Sequence, residues 1–199
     1  MRMIRGHKGV DWSAQLAAED LPFLHTHIDG EEWYPMATFE RLGNAILRVI
    51  AGNNLELVRQ WGRFSVEQLL NAHSTLAAPN DPVETLNRFR VLRSTFFDFD
   101  ALDIRLLIDD EAQIGIHYHM GKTAEEAASH QTMGFFERLL ELSGATDVTA
   151  HFGQRSWAGD QATLLHLTWR TKRVVPTLGK ASPQVSAVGR LRRKKTDSR

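Results

Sequence analysis

Four stretches in the second half of the chain alternate apolar and polar residues, the pattern of a half-buried β-strand. They are Ala101–Asp109, Gln113–Met120, Asp147–Phe152 and Thr163–Arg170. Each places its apolar residues on one face and its polar residues on the other. A sheet with one apolar and one polar face is typical of antiparallel strands covered by helix on one side only.

The apolar positions also predict how the first two strands pair. Apolar residues face apolar residues when Ile108 lies opposite Ile114, because a shift of one residue would turn every side chain to the other face. In this register Asp103 lies across from His119, and Arg105 lies across from His117.

A long amphipathic helix is predicted between the two hairpins, over Ala124–Ser143. Apolar or small residues recur along it at helical spacing, Thr132 and Phe135 among them. Thr123 and Glu126 are spaced as a capping box at its start, and Gly144 suits the left-handed position after its end. We expect the apolar stripe to lie on the apolar face of the sheet.

Three further helices are predicted before the sheet, at Pro35–Ala51, at Leu55–Ala72 and from Asp81 to about Phe96. Asn53 or Asn54 can cap the second, and Asp81 followed by proline can cap the third. The predicted fold class is therefore α+β: three N-terminal helices, then a β-hairpin, a long helix and a second β-hairpin. The hairpins form a four-stranded antiparallel sheet.

Composition places the chain among ordinary globular proteins, with 42% hydrophobic and 24% charged residues among 199. Acidic and basic residues are equal in number, so the whole molecule is not an electrostatic binder of nucleic acid. No cysteine is present, which excludes disulfides, thiolate metal sites and a cysteine nucleophile. No apolar run suggests a signal peptide or a membrane span, so we expect a cytoplasmic protein.

The chain is predicted to divide into one domain over residues 1–171 and a basic tail over residues 172–199. Few residues of the tail are large enough to pack, so it is expected to be disordered. Its basic residues could contact nucleic acid, an anionic membrane or an acidic partner through charge, or could serve only solubility. The candidate anion- or partner-binding residues are Arg190, Arg192, Arg193, Lys194 and Lys195.

The order of elements resembles the fold shared by haem-nitric-oxide-binding domains, 4-vinyl-reductase domains and TRAPP trafficking-complex subunits. Three stretches carry a closer resemblance: Trp33-Tyr34-Pro35-Met36, Asn54–Arg63, and the Ala158-Gly159-Asp160 hairpin with the strand Leu165–Trp169. Together they resemble a family of paralogues abundant in myxobacteria. The likeness covers about residues 30–170.

The chain departs from these families at their cofactor sites. Where 4-vinyl-reductase domains often carry a cysteine pair, this chain has Arg155 and Thr163. Haem-nitric-oxide-binding domains ligate iron through a helical histidine and carry a Tyr-x-Ser-x-Arg motif, which this sequence lacks. His130 is the only histidine within the long helix, and His73 ends an earlier helix. We therefore expect no haem.

The resemblance implies a non-enzymatic signalling or regulatory module that binds a small hydrophobic ligand or a protein partner. Aromatic residues between the helices and the sheet are the candidates for a ligand pocket, although aromatics at this spacing are also typical of a plain core. They are Trp61, Phe89, Phe96, Tyr118 and Phe135. Acidic residues near the first hairpin have no accompanying base or nucleophile, so no enzyme is predicted.

The polar sheet face offers an alternative function, a divalent metal site. Two histidines at positions i and i+2 of a strand point the same way, and imidazole is a common zinc ligand. The candidate ligands are His117, His119, His151, His166 and Asp103. His25, His27 and Asp29 form a second, loop-borne candidate. A polar face joined to a second copy in a structural homodimer is a further possibility.

Overall fold

A computed structural model describes residues 1–29 and 32–171. Five α-helices lie in the described residues: α1 Arg2–Gly6, α2 Met36–Val49, α3 Leu55–Ala72, α4 Pro82–Leu92 and α5 Lys122–Leu142. The four strands are β1 Leu102–Ile108, β2 Glu111–Ile116, β3 Ala145–Gln154 and β4 Thr163–Thr171. Short 3-10 turns occur at Trp12–Ala14, Ala18–Leu24, Arg93–Thr95 and Ser156–Ala158. The predicted α+β fold class is confirmed.

The four strands form one antiparallel sheet in the order β1-β2-β4-β3. Helix α5 covers one face, and its fully buried residues Phe136, Leu139 and Leu140 join the sheet's buried side chains in the main core. Helix α3 packs on α5, and α4 packs against both β1 and α5. The molecule is thus layered as sheet, α5 and α3, with α4 closing one side.

The first hairpin has a different register from the predicted one. Ile104, not Ile108, lies opposite Ile114, and the turn is the two residues between Ile108 and Glu111. A bulge at Arg105 adds one residue to β1, which reverses the alternation beyond it. Consequently Leu107 packs on the core, whereas Ile108 is 47% exposed.

The start of α5 also differs from the prediction. The helix begins at Lys122 after Gly121, and no side chain caps it in the expected Thr123–Glu126 manner. Instead, Glu125 accepts a hydrogen bond from the backbone N–H of Met120, and Glu40 of α2 accepts one from Gly121. The long-range bond from Glu40 ties α2 to the segment that joins β2 to α5.

The bounds of the other helices follow their caps. Asn54 accepts a hydrogen bond from Leu57 N–H, and Asp81 accepts one from Glu84 N–H, so α3 and α4 begin where predicted. Helix α4 ends at Leu92 rather than near Phe96, because the chain tightens into a 3-10 turn over Arg93–Thr95. None of the helices in the described part of the chain is long and apolar enough to cross a membrane.

Candidate functional site: an apolar cavity beside the sheet

A cavity of about 300 Å³ lies between α3, α4, α5 and the start of the sheet. Helices α2 to α5, the segment after α4, β1 and the segment after β2 all contribute to its wall, so only the complete fold forms it. Half of the residues that line it are aromatic: Phe39, Phe89, Phe96, Phe97, Tyr118 and Phe135. We call this space the first cavity.

Ring packing holds the aromatic wall in place. The ring of Phe89, 2% exposed, has its centroid 5.4 Å from that of Phe135 and 5.0 Å from that of Phe136. The ring centroid of Phe97 lies 5.6 Å from that of Tyr118. Pairs at these separations stabilise one another beyond the area they bury. The wall is therefore preformed.

A second cavity of about 220 Å³ adjoins the first. Trp61 of α3 lines it, together with residues of α1 and α2. Both cavities are bordered by Phe39, Ala128 and Gln131, so these three residues separate the two spaces. The Phe39 side chain on α2 is 51% exposed and lies at this boundary.

The first cavity has few polar groups and, among the described residues that line it, no charged side chain. Tyr118 Oη lies 2.6 Å from Thr132 Oγ1, deep in the wall. Burial raises the pKa of Tyr118 to about 12, so the phenol stays protonated near neutral pH. The Ser65 hydroxyl donates to the carbonyl of Gly62 within α3.

The five predicted pocket residues all border one of these cavities. Phe89, Phe96, Tyr118 and Phe135 line the first, and Trp61 lines the second. Gln131 and Thr132, which also line the first cavity, were not among the predicted pocket residues. Thr132 lay on the predicted apolar stripe of α5, and a hydroxyl among buried residues of a helix was the available signal.

The candidate metal ligands predicted for the sheet do not come together, and β2 ends at Ile116, so His117 and His119 lie beyond the strand that was predicted to carry them. His151 and His166 pair across β3 and β4 with ring centroids 5.1 Å apart, and His117 and His119 form a separate pair with centroids 6.3 Å apart. Across residues 1–29 and 32–171, no group of three or more His, Cys, Asp or Glu residues is placed to hold a metal ion. This covers the loop histidines His25 and His27 as well.

His117 is engaged by a neighbouring arginine. Asp103 lies opposite Gly115 rather than His119, and Arg105 reaches across Gly115 to place its Nη2 3.1 Å from His117 Nε2. Because guanidinium can only donate, His117 Nε2 is the acceptor and the ring is neutral. Burial, followed by the charge of Arg105, lowers the pKa of His117. The lone pair that a metal would need is therefore already in use.

His130 of α5 lies outside both cavities. Its ring packs against Phe152 and Trp157, with centroids 5.3 Å and 6.3 Å away. Burial lowers the pKa of His130, with Glu126 opposing the shift and Arg59 adding to it. The folded protein thus prefers the neutral ring more strongly than the unfolded chain does.

This preference predicts an acid-sensitive contribution to stability. The contribution of His130 is fully present above its unfolded pKa of about 6.5 and is lost as the pH falls below that value, because the unfolded chain then binds more protons. We expect His130→Phe to reduce the loss of unfolding free energy between pH 7.5 and 5.5, measured by urea denaturation. An unchanged pH dependence would contradict the assignment to His130.

The predicted basic tail, with Arg190, Arg192, Arg193, Lys194 and Lys195, lies outside the described residues.

Solved structures share this fold at low sequence identity. An H-NOX protein from S. oneidensis in the Fe(II)NO ligation state matches with a TM-score of 0.58 and 9% identity, covering 85% of this chain and 94% of that one. A mutant H-NOX protein from T. Tengcongensis matches with a TM-score of 0.54 and 12% identity, covering 86% and 94%.

A weaker similarity is to a trafficking protein particle complex subunit 3 from Naegleria fowleri. Its TM-score is 0.45 at 13% identity, covering 68% of this chain and 92% of that one, which is too low to bear on function. No protein-family model matches the chain, and no curated protein matches it in sequence. The likeness to myxobacterial paralogues and 4-vinyl-reductase domains stays a prediction. The chain shares the fold of H-NOX proteins.

Proposed function

We propose that the protein is a non-enzymatic regulatory module, expected in the cytoplasm, that binds a small hydrophobic molecule in the first cavity. The observation that carries this proposal is a preformed aromatic space of about 300 Å³ between well-packed layers. Ligand sites are typically concave, mainly apolar and supplied with a few placed polar groups. The Tyr118–Thr132 pair provides such groups.

The chemistry of the wall argues against catalysis. The polar side chains lining the first cavity are Ser65, Tyr118, Gln131 and Thr132. None of them is a base near neutral pH, and the only ionisable one, Tyr118, holds its proton. Binding and release of a ligand, with a change in what the protein contacts, is the role that these groups support.

Haem is the ligand that the likeness to H-NOX proteins raises, and the residues here do not fit it. All nine histidines of the chain lie in the described residues, and none lines either cavity. Helix α4, which borders the first cavity, contains no histidine and contributes the Phe89 ring to the wall. Tyr118 is a poor alternative iron ligand, because its protonated phenol is also bonded to Thr132.

The metal-binding alternative has less support than the cavity. The histidines form two pairs rather than one site, and His117 Nε2 accepts from Arg105. The one observation that favours a homodimer joined through the sheet, among those made on the described residues, is the 47% exposure of Ile108.

Filling the first cavity should weaken binding. Ala128 borders both cavities and lies on α5, so Ala128→Leu adds three carbons to the shared boundary without breaking the helix. We expect the Kd for the neutral fluorescent probe N-phenyl-naphthylamine to rise about tenfold or more, equivalent to ~1.4 kcal/mol. The measurement is a fluorescence titration, supported by native mass spectrometry of the purified protein.

The matched control is Ala72→Leu, which adds the same atoms to the exposed end of α3 and borders neither cavity. It should bind the probe as the wild type does. Equal affinity of Ala128→Leu and wild type would show that the probe binds elsewhere and would refute the proposed site. Circular dichroism checks that both variants are folded.

A further inference from the structure

The direction of one buried hydrogen bond defines what the first cavity can recognise. Thr132 Oγ1 lies 2.6 Å from Tyr118 Oη and 2.9 Å from the carbonyl oxygen of Ala128, one turn earlier in α5. A carbonyl oxygen can only accept, whereas a threonine hydroxyl carries a single hydrogen. Both contacts are hydrogen bonds only when Thr132 donates to Ala128 and Tyr118 donates to Thr132.

This arrangement uses the only hydrogen of the Tyr118 hydroxyl. Its oxygen retains acceptor capacity, and no other donor among the described residues reaches it. Tyr118 and Thr132 both border the first cavity. A buried hydrogen-bond acceptor therefore lies in the wall of the first cavity.

The uncharged wall restricts the class of ligand further. No charged side chain among the described residues lines the first cavity, and the Tyr118 phenol remains neutral. An ionised group placed there would lose its hydration without a counter-charge, at large energetic cost. Among the described residues that line the two cavities, the only carboxylate is that of Glu40, which borders the second cavity and accepts a hydrogen bond from Gly121.

We propose that the first cavity selects an uncharged apolar molecule carrying a hydroxyl group, which donates a hydrogen bond to Tyr118 Oη. This inference rests on the proposed function and specifies its ligand class. A ligand with only an acceptor, such as an ether, would leave its oxygen and Tyr118 Oη facing each other without a hydrogen. Sites built to pair with a substrate hydroxyl discriminate strongly against analogues that lack it.

A pair of probes of similar shape tests the selection. β-Naphthol donates a hydrogen bond, whereas its methyl ether only accepts, and each is titrated against N-phenyl-naphthylamine bound to the full chain. We expect the wild type to bind β-naphthol about tenfold more tightly than the ether. Naphthoate, the anionic analogue, should compete weakly.

Thr132→Val provides the decisive comparison, because valine keeps the shape of threonine and removes its acceptor. The Tyr118 hydroxyl is then free to donate into the cavity, and the oxygen of either probe can accept from it. The ratio of ether to naphthol affinity should therefore rise, and the preference for naphthol should largely disappear. Tyr118→Phe removes the hydroxyl that pairs with the ligand, so this variant should bind β-naphthol and its methyl ether with similar affinity. Comparing ratios between variants cancels the difference in size between the probes.

The outcomes separate the two proposals. Equal affinities for naphthol and ether in the wild type, or an affinity ratio unaltered by both Thr132→Val and Tyr118→Phe, would overturn the selection while leaving a hydrophobic site. Failure of the wild type to bind any of the naphthalene compounds or the fluorescent probe would overturn the proposed function itself. A wild-type preference for naphthol that is lost in Thr132→Val would support both.

Discussion

Replacing Gly134 with alanine is expected to lower the free energy of unfolding by more than ~3 kcal/mol, or to prevent folding. A Cβ atom at Gly134 would lie 1.9 Å from the carbonyl oxygen of Arg59 in α3. The reciprocal Cβ at Gly62 would lie 1.9 Å from the carbonyl oxygen of Gln131 in α5. Since both neighbours are backbone atoms, no side-chain rotation relieves the contact, and the two helices must move apart.

Urea denaturation followed by circular dichroism measures the loss. Gly43→Ala is the matched control, because Gly43 lies inside α2 and a Cβ there meets no atom within 4 Å. Alanine in a helix interior is favoured over glycine by about 0.5–1 kcal/mol, so this variant should be slightly more stable than wild type. A Gly134→Ala protein as stable as wild type would disprove the close approach of the helices.

The crossing of α3 and α5 also positions the candidate site. Ser65 follows Gly62 by one turn, and Gln131 precedes Gly134 by one turn, and both residues border the first cavity. The cavity therefore begins one turn away from the point where the two backbones touch. A change that separates the helices should alter ligand binding as well as stability.

The hydrophobic pattern predicted the elements well because each element has one buried face. The bounds of α3 agree with the prediction, and so do the faces of β3 and β4, where Val148, Phe152, Leu165 and Leu167 pack on the core. The pattern could not predict the register of the first hairpin. Leu106, Leu107 and Ile108 are all apolar, so the sequence allows either alternation after Arg105 and does not select the bulge.

The candidate site was predictable in composition but not in chemistry. Aromatic residues on the helix faces directed at the sheet were expected to border the space between the layers. The donor and acceptor roles of Tyr118 and Thr132 depend on a 2.6 Å contact between residues 14 positions apart on different elements. The start of α5 was equally hard to predict from local sequence. Gly121 at that start donates a hydrogen bond to Glu40, which lies 81 residues away in the chain.

A second large loss of stability is expected when a buried ion pair between α3 and α5 is broken. Arg59 Nε donates to Glu137 Oε2 at 2.9 Å, and Arg59 Nη2 donates to Oε1. The Glu137 side chain is only 4% exposed, so Arg59→Met would leave a buried carboxylate without its main partner. Breaking a buried pair from one side costs about 3–5 kcal/mol. We expect ~3 kcal/mol, because Arg63 Nη1 remains 3.5 Å from Oε2.

The double variant Arg59→Met with Glu137→Leu separates the cost of the unpaired carboxylate from the cost of losing the packed arginine stem. It removes the stranded charge and replaces the pair by apolar side chains, so it should recover most of the stability lost in Arg59→Met. Arg170→Met is the control, because Arg170 and Asp147 form an ion pair whose side chains are 82% and 67% exposed. Its unfolding free energy should change by less than ~1 kcal/mol. A double variant as unstable as Arg59→Met alone would show that the loss came from the packing of the arginine stem between the helices, not from the unpaired carboxylate.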